Sequence, residues 1–144
     1  MTLLQLIVGS TVSAINIVLH SLFTVMVIRL VRNVALSSPG RFGLLLSGMM
    51  VATALSLMVA HTLEIMVWSL AYYATSAAPE GSDLIYFAFV NYTTLGYGDV
   101  IPVKAWLLLG PMAAMNGILM FGWSTAVLFE VLQKTIERHG MRSS

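Results

Sequence analysis

Three long stretches without a charged side chain constrain this chain more than any other feature of its sequence. They cover residues 2–28, 42–63 and 105–129. Each is longer than the roughly 20 apolar residues that a helix needs to cross a bilayer. Only 9% of the residues are charged and 58% are hydrophobic, so a soluble globular enzyme is nearly excluded. We therefore expect three membrane-spanning helices, near residues 3–30, 43–74 and 105–131.

Charge and composition exclude several further classes of protein. The net charge is +1, so no basic surface for nucleic acid is expected. The absence of cysteine removes disulfides, thiolate metal sites and a cysteine nucleophile. No Ser/His/Asp arrangement rises above chance, and we expect neither an enzyme nor a bound cofactor. The first apolar stretch is too long for a signal peptide and no basic residue precedes it, so we expect it to be retained as a helix.

A fourth apolar stretch, residues 84–98, is too short to cross a membrane and carries two glycines near its end. Its length is typical of a re-entrant segment, which enters the membrane and returns on the same side. Ser82 or Asp83 is the expected N-cap of a short helix over residues 84–93, and an extended segment follows it. The predicted fold is thus all-α, with three membrane spans and one re-entrant loop.

The distribution of positive charge predicts the orientation of the chain. All but one of the basic residues fall on one side of a chain with three spans: Arg29, Arg32, Arg41, Lys134, Arg138 and Arg142. The other side has only Lys104, and basic residues favour the cytoplasmic side. We expect an outer N-terminus, a cytoplasmic C-terminus and an outward-facing re-entrant loop, in the inner (plasma) membrane. A turn at residues 37–40 is expected to join the first two spans.

The re-entrant segment ends in Thr94-Leu95-Gly96-Tyr97-Gly98-Asp99, which we call the glycine segment. It resembles the selectivity filter of potassium channels, whose pattern is Thr-Val-Gly-Tyr-Gly-Asp. In such a filter, rings of backbone carbonyls replace the hydration shell of the ion. Successive carbonyls point into the pore only if every second residue or so adopts a left-handed backbone conformation. Glycine tolerates that conformation without steric cost.

The resemblance implies passive conduction of K+ by a homotetramer, because one loop supplies one quarter of each carbonyl ring. The ion-binding residues would be Thr94, Leu95, Gly96, Tyr97 and Gly98, with K+ at the first four. The chain would then comprise an additional helix with its cytoplasmic turn (1–42), a pore domain with outer helix, pore helix, filter and inner helix (43–134), and a short cytoplasmic tail (135–144). Membrane lipid and permeant monovalent cations are the other expected partners.

Leu95 stands where the family pattern has valine. The coordinating carbonyl is retained, but the additional methylene must pack behind the segment, and a relaxed selectivity is one alternative. The chain would then be a non-selective monovalent cation channel. A second alternative is a non-conducting membrane subunit that regulates another channel or transporter through the first span.

Asp99 at the end of the glycine segment needs a partner that holds its carboxylate. One bacterial type of the family has a glutamate at the position of Val90, so that partner is missing here. Tyr86 stands where the family often has tryptophan, and its hydroxyl is expected to donate to Asp99. The alternative is that Tyr86 only packs, as part of an aromatic cuff around the segment.

Two ionisable residues, His61 and Glu64, lie one turn apart on one face of the second span. A charged group is costly inside a membrane and by default suggests a function. Counted from the outer end of its span, Glu64 lies about 15 Å deep, level with the re-entrant loop. It is expected to support the filter, together with His61 and Thr93, through a bond to Asn91, Tyr92 or Thr93. One interpretation is a pH sensor, in which protonation of this group behind the filter changes conduction. The alternative is a neutral His61–Glu64 pair whose hydrogen bonds are all made between helices.

His20 in the first span is a third ionisable candidate. Counted from an inner end at Leu30, it is expected nearer to the cytoplasm than His61. A metal site shared by His20, His61 and Glu64 is therefore disfavoured, because the three ligands would have to lie at one height.

The third span carries candidate cavity and gating residues. Gly117 and Gly122 lie in a stretch that resembles the family's glycine-containing inner helix, where a glycine often acts as the hinge; close helix packing is the alternative. Asn116 either lines the cavity below the filter or bonds to another helix. Glu130 either forms a ring of four carboxylates at the inner mouth or pairs with Lys134 at i+4.

Overall fold

The computed structural model describes residues 2–35 and 42–143. These residues form the helices α1 (Thr2–Ala35), α2 (Phe42–Thr75), α3 (Leu84–Tyr92) and α4 (Leu109–Ser143), with a 3-10 turn at Lys104–Trp106. Three of the helices are long and apolar enough to cross a membrane, over Thr2–Val31, Gly43–Thr75 and Leu109–Glu137. The expectation of an all-helical protein with three spans is confirmed, whereas the turn expected at 37–40 lies outside the described residues.

The outward faces of the long helices are apolar. Leu3 is 70% exposed, Leu22 and Leu70 are each 65% exposed, and Leu44 is 67% exposed. Contiguous apolar surface of this kind is rare on a soluble monomer and marks a contact with lipid or another protein. The surface therefore agrees with the composition in placing these helices in a membrane.

The third long helix begins at Leu109, a turn later than the sequence predicts. The connection before it is tied to the end of α2, since the Val103 amide donates to the Ala77 carbonyl at 2.8 Å. The Leu108 amide, which has no partner within the helix, donates to the Gln5 side-chain oxygen at 2.8 Å. Hydropathy alone does not separate this irregular connection from the helix, because both are apolar.

The short helix α3 begins at the predicted place and has Asp83 as its N-cap. The Asp83 carboxylate accepts from the amides of Ile85 at 3.0 Å and Tyr86 at 3.1 Å. At the other end, the Thr93 amide donates to the Phe89 carbonyl at 2.9 Å. A helix of nine residues is about 14 Å long, so α3 cannot cross a hydrocarbon core of roughly 30 Å.

The main core forms where α3 packs against α2 and α4. Tyr72 on α2 and Phe87 on α3 place their rings 4.7 Å apart. At Gly117 on α4, a Cβ atom would overlap the backbone carbonyl oxygen of Tyr92, so the glycine allows α4 to approach the end of α3. Other large side chains of this core are fully buried: Trp68, Tyr92, Leu109 and Met120.

The additional helix α1 packs against both α2 and α4. A second apolar cluster joins the three helices through Val27, Val31, Met49, Leu57, Val127 and Val131. Toward the start of α1, Gly9 lies directly against the Met112 side chain of α4. The first span is therefore part of the same packed unit as the rest of the described chain.

Candidate functional site

The glycine segment follows α3 directly and has an alternating backbone. The φ angles are positive at Thr94 (61°), Gly96 (58°) and Gly98 (77°), and the residues between them do not share this conformation. Residues 94–99 are all exposed in the single chain. An alternation of left- and right-handed residues turns successive peptide planes the same way, so their carbonyl oxygens can line one side of the segment.

Thr94 adopts a positive φ that costs a residue with a Cβ roughly 1–2 kcal/mol. Two hydrogen bonds to the end of α3 hold this conformation. The Thr94 amide donates to the Asn91 carbonyl at 3.1 Å, and the Leu95 amide donates to the Val90 carbonyl at 3.0 Å. Backbone strain that the surroundings maintain is typical of functional segments.

Tyr86 and Asp99 make the contact that the resemblance to the potassium filter implies. The Tyr86 hydroxyl donates to Asp99 Oδ2 at 2.7 Å, and this hydrogen bond raises the pKa of Tyr86. The phenol therefore remains a protonated donor at neutral pH. The role of the contact in supporting a filter stays a prediction.

Glu64 is the centre of a buried polar cluster that joins four helices. Its Oε1 lies 2.8 Å from His20 Nδ1, and its Oε2 lies 3.1 Å from His61 Nδ1. The Tyr92 hydroxyl donates to Glu64 Oε2. The Ser124 hydroxyl lies 2.9 Å from His61 Nε2 and 3.4 Å from His20 Nε2. Glu64 thus reaches α3 at Tyr92, one of its three expected partners, and also makes the expected pair with His61.

The expectation that His20 lies too deep to join this cluster is wrong. The helix α1 continues to Ala35, and α2 begins at Phe42. At 1.5 Å per residue, His20 lies about 22 Å along α1 from Ala35, and His61 lies about 28 Å along α2 from Phe42. The difference is about one helical turn, which the two side chains bridge.

Asn116 bonds to neighbouring helices, which is the second of the two alternatives that its sequence position left open. It is 1% exposed, and its Oδ1 accepts from Asn16 Nδ2 at 2.9 Å and from Trp68 Nε1 at 3.0 Å. Asn16 Nδ2 also reaches the Glu64 backbone carbonyl at 3.2 Å. The amide faces α1 and α2 because two donors there would otherwise be left unpaired in an apolar core.

Three members of these clusters were not singled out from the sequence: Asn16, Trp68 and Ser124. For Asn16 and Ser124 the sequence did carry a signal, in the spacing of polar residues within otherwise apolar helices. Asn16 and His20 are four positions apart on α1, and Asn116 and Ser124 are eight apart on α4. Both spacings place the paired side chains on one helix face.

The remaining candidate residues have local contacts. The Thr93 hydroxyl donates to the Phe89 carbonyl at 2.7 Å, and Glu130 pairs with Lys134 at 2.6 Å, as in the i+4 alternative. Packing accounts for Gly117, whereas no described atom lies within 4 Å of a Cβ built on Gly122. The hinge role of these glycines stays a prediction, since α4 is one continuous helix through both positions.

A comparison with family models identifies the family of this chain. A family model described as "Ion channel" matches residues 60–134, which is just over half of the chain. The match includes α2 from residue 60 onward, α3, the glycine segment and most of α4. No similar protein was found among the curated proteins or the solved structures. The chain therefore belongs to this ion channel family, which is not an enzyme class.

Proposed function

We propose that the chain is a potassium-selective channel in which Thr94, Leu95, Gly96 and Tyr97 supply backbone carbonyls to a central filter. The single observation that carries this proposal is the alternating backbone of the glycine segment, with positive φ at Thr94, Gly96 and Gly98. It coincides with a residue pattern that differs from the potassium filter only at Leu95. Dehydration of K+ needs rings of oxygen ligands, and an aligned row of carbonyls supplies one quarter of each ring.

The proposed assembly is a homotetramer around the glycine segment. In the single chain Leu95 is 53% exposed and Tyr97 is 68% exposed, so one side of the segment has no protein against it. Three further copies would complete the carbonyl rings and cover that side. On α4, Met115, Ile118 and Leu119 are also more than half exposed, and they offer apolar surface near the same axis.

The contacts at both ends of the segment favour a filter that is held rigidly. On the outer side, Tyr86 holds Asp99. On the other side, Tyr92 ends α3 and is anchored through its hydroxyl to the buried Glu64. The C-terminal end of α3 lies next to Thr94, and a helix C-terminus carries partial negative charge that stabilises a nearby cation.

The proposed orientation has α3 and the glycine segment on the outer side of the plasma membrane. The N-terminus would be outside and the C-terminus cytoplasmic, as the positive charges predict. In this arrangement K+ passes down its gradient through the filter, and neither covalent chemistry nor a cofactor takes part.

The second candidate is a non-selective monovalent cation channel with the same architecture. Leu95 favours it, because its side chain replaces valine and is half exposed, so its packing against the filter depends on the neighbouring chain. The two candidates differ only in the ratio of K+ to Na+ permeability.

The test is ion flux into liposomes that contain the purified chain, first in K+ and then in Na+. Gly96→Ala is the disabling variant because alanine at this positive φ is strained. Gly81→Ala is the matched control, since Gly81 has a positive φ of 80° in a loop outside the segment. We expect K+ flux that is lost in Gly96→Ala and retained in Gly81→Ala.

Equal K+ and Na+ flux, lost in Gly96→Ala, would support the second candidate instead. Absence of flux from a preparation that native mass spectrometry shows to be a monomer would contradict a homotetrameric channel.

A further inference from the structure

We propose that His20, His61 and Glu64 form a binding site for a divalent transition-metal ion of the Zn²⁺ class. One possible ligand atom from each of the three residues lies within 4.8 Å of those from the other two. Two imidazoles and one carboxylate are a donor set that Zn²⁺ commonly takes in proteins. His20 and Glu64 are fully buried, and the side chain of His61 is 14% exposed.

The distances within the cluster are close to those of a metal site. Ligands that lie about 2.0–2.1 Å from a tetrahedral zinc ion are about 3.4 Å from one another. His20 Nδ1 lies 2.8 Å from Glu64 Oε1, and His61 Nδ1 lies 3.1 Å from Glu64 Oε2. Each histidine nitrogen thus lies within a few tenths of an ångström of that spacing from a carboxylate oxygen, and the ligand atoms of all three residues lie within 4.8 Å of one another.

Tyr92 offers a further oxygen donor at the same point. Its hydroxyl lies 3.1 Å from His61 Nδ1 and donates to the Glu64 carboxylate. Zinc sites with three protein ligands keep the fourth position open, and the Tyr92 hydroxyl lies beside the three ligands here.

Ser124 gives independent support through the other ring nitrogens. Its hydroxyl is within reach of both Nε2 atoms, at 2.9 Å from His61 and 3.4 Å from His20. If both neutral imidazoles carry their protons on Nδ1, both Nε2 atoms are acceptors, and the single Ser124 proton satisfies only one of them. When a metal takes both Nδ1 atoms, the protons reside on Nε2, and the two lone pairs of Ser124 accept both.

Protons on both Nε2 atoms, with the metal on Nδ1, match the usual arrangement in metal sites, where a ligating histidine donates its other N–H to a neighbouring polar group. A carboxylate in a membrane helix is costly unless it is paired, and an ion bound here would lie directly against the buried Glu64 carboxylate.

An ion at this site would join α1 and α2 to Tyr92, which lies at the end of α3. Binding itself does not depend on the proposed channel function. An effect of the ion on conduction would rest on that function, so the test measures binding.

The test uses the purified full-length chain in lipid nanodiscs after treatment with a chelator. Zn²⁺ binding is measured by equilibrium dialysis, and Co²⁺ is added as a spectroscopic probe of coordination. We expect one ion per chain and the intense visible absorption of tetrahedral Co²⁺. Loss of a group that only hydrogen-bonds to a ligand weakens metal binding by about 10- to 100-fold. His20→Gln removes a ligand itself, so it should weaken Zn²⁺ binding by more than about 100-fold. His139→Gln, which removes the third histidine of the chain, is the matched control and should bind as the unaltered chain does.

Ser124→Ala tests the site without removing a ligand. It should weaken Zn²⁺ binding by about 10- to 100-fold, and Ser124→Thr, which retains the hydroxyl, should restore it. Failure of the unaltered chain to bind stoichiometric Zn²⁺ would overturn the proposal. So would binding that is lost in His139→Gln, or that is unchanged in a His20→Gln variant with native helix content by circular dichroism.

Discussion

At the scale of single residues, the glycine segment depends on backbone conformations that its sequence permits and its surroundings maintain. Gly96 and Gly98 take positive φ without steric cost, whereas Thr94 does so against a preference. Hydrogen bonds at both ends hold the segment, to α3 on one side and between Tyr86 and Asp99 on the other. The conformation of the segment therefore depends on backbone contacts with α3 and on the Tyr86 side chain.

Tyr86→Phe should impair the Asp99 end of the proposed filter, because it removes the hydroxyl that donates to Asp99 and keeps the ring. We expect K+ flux into liposomes to fall by about threefold or more. Tyr73→Phe is the control, since Tyr73 is 70% exposed and lies on α2 away from the segment. Equal flux from both variants would mean that Tyr86 only packs.

The same contact sets an expected pH dependence. The hydrogen bond raises the pKa of Tyr86, so its contribution is fully present below the ordinary tyrosine pKa of about 10. It is lost as the pH rises through the higher value of the folded chain. The ratio of unaltered to Tyr86→Phe flux should thus stay constant from pH 6 to pH 8, and a ratio that changes in this range would contradict the assignment.

At the scale of helices, α3 is held between α2 and α4 by close packing. Its N-terminus is capped by Asp83, and its C-terminus lies against Gly117 of α4. Because the glycine segment begins at the end of α3, the position of α4 also fixes where that segment starts. The packing of Gly117 explains the glycine whether or not the helix bends there.

Gly117→Ala should destabilise the protein, because its methyl group would overlap the Tyr92 carbonyl oxygen and α4 would have to move. Overpacking of this kind costs about 1–3 kcal/mol. Thermal unfolding in detergent, followed by circular dichroism, measures the effect. Gly48→Ala on α2 is the control, because a Cβ there meets nothing within 4 Å. An unchanged midpoint for Gly117→Ala would show that α3 and α4 are farther apart than described.

At the scale of the whole molecule, polar clusters in the apolar interior join α1 to the other helices. Asn116 links Asn16 on α1 to Trp68 on α2, and Glu64 links His20 to Tyr92. Buried polar groups are expensive unless they are paired. The clusters therefore fix one arrangement of helices, since sliding α1 along α2 would break several bonds at once.

Asn116→Ala should cost about 1–3 kcal/mol for each donor that it leaves unpaired, on Asn16 and on Trp68. We expect a large fall in the unfolding midpoint in detergent. Gln133→Ala removes an exposed amide from the same helix and should leave the midpoint almost unchanged. Similar midpoints for the two variants would contradict the buried amide cluster.

Much of this molecule could be predicted from local features of its sequence. The three spans follow from uncharged length, and α3 follows from Asp83 and the short apolar stretch. The Tyr86–Asp99 contact follows from the resemblance of the glycine segment to a potassium filter. The height of His20 and the direction of Asn116 could not be predicted in this way. Both depend on how far one helix is shifted or rotated relative to another, and an apolar helix surface leaves that shift undetermined until the buried polar side chains are paired.

The central claim is that backbone carbonyls of the glycine segment select K+. The most direct measurement is the reversal potential of single channels in a planar bilayer with K+ on one side and Na+ on the other. We expect a displacement toward the K+ equilibrium potential by at least about 59 mV, which corresponds to a tenfold permeability ratio for a monovalent ion. A reversal potential near 0 mV would contradict it, because the pore would then pass both ions equally.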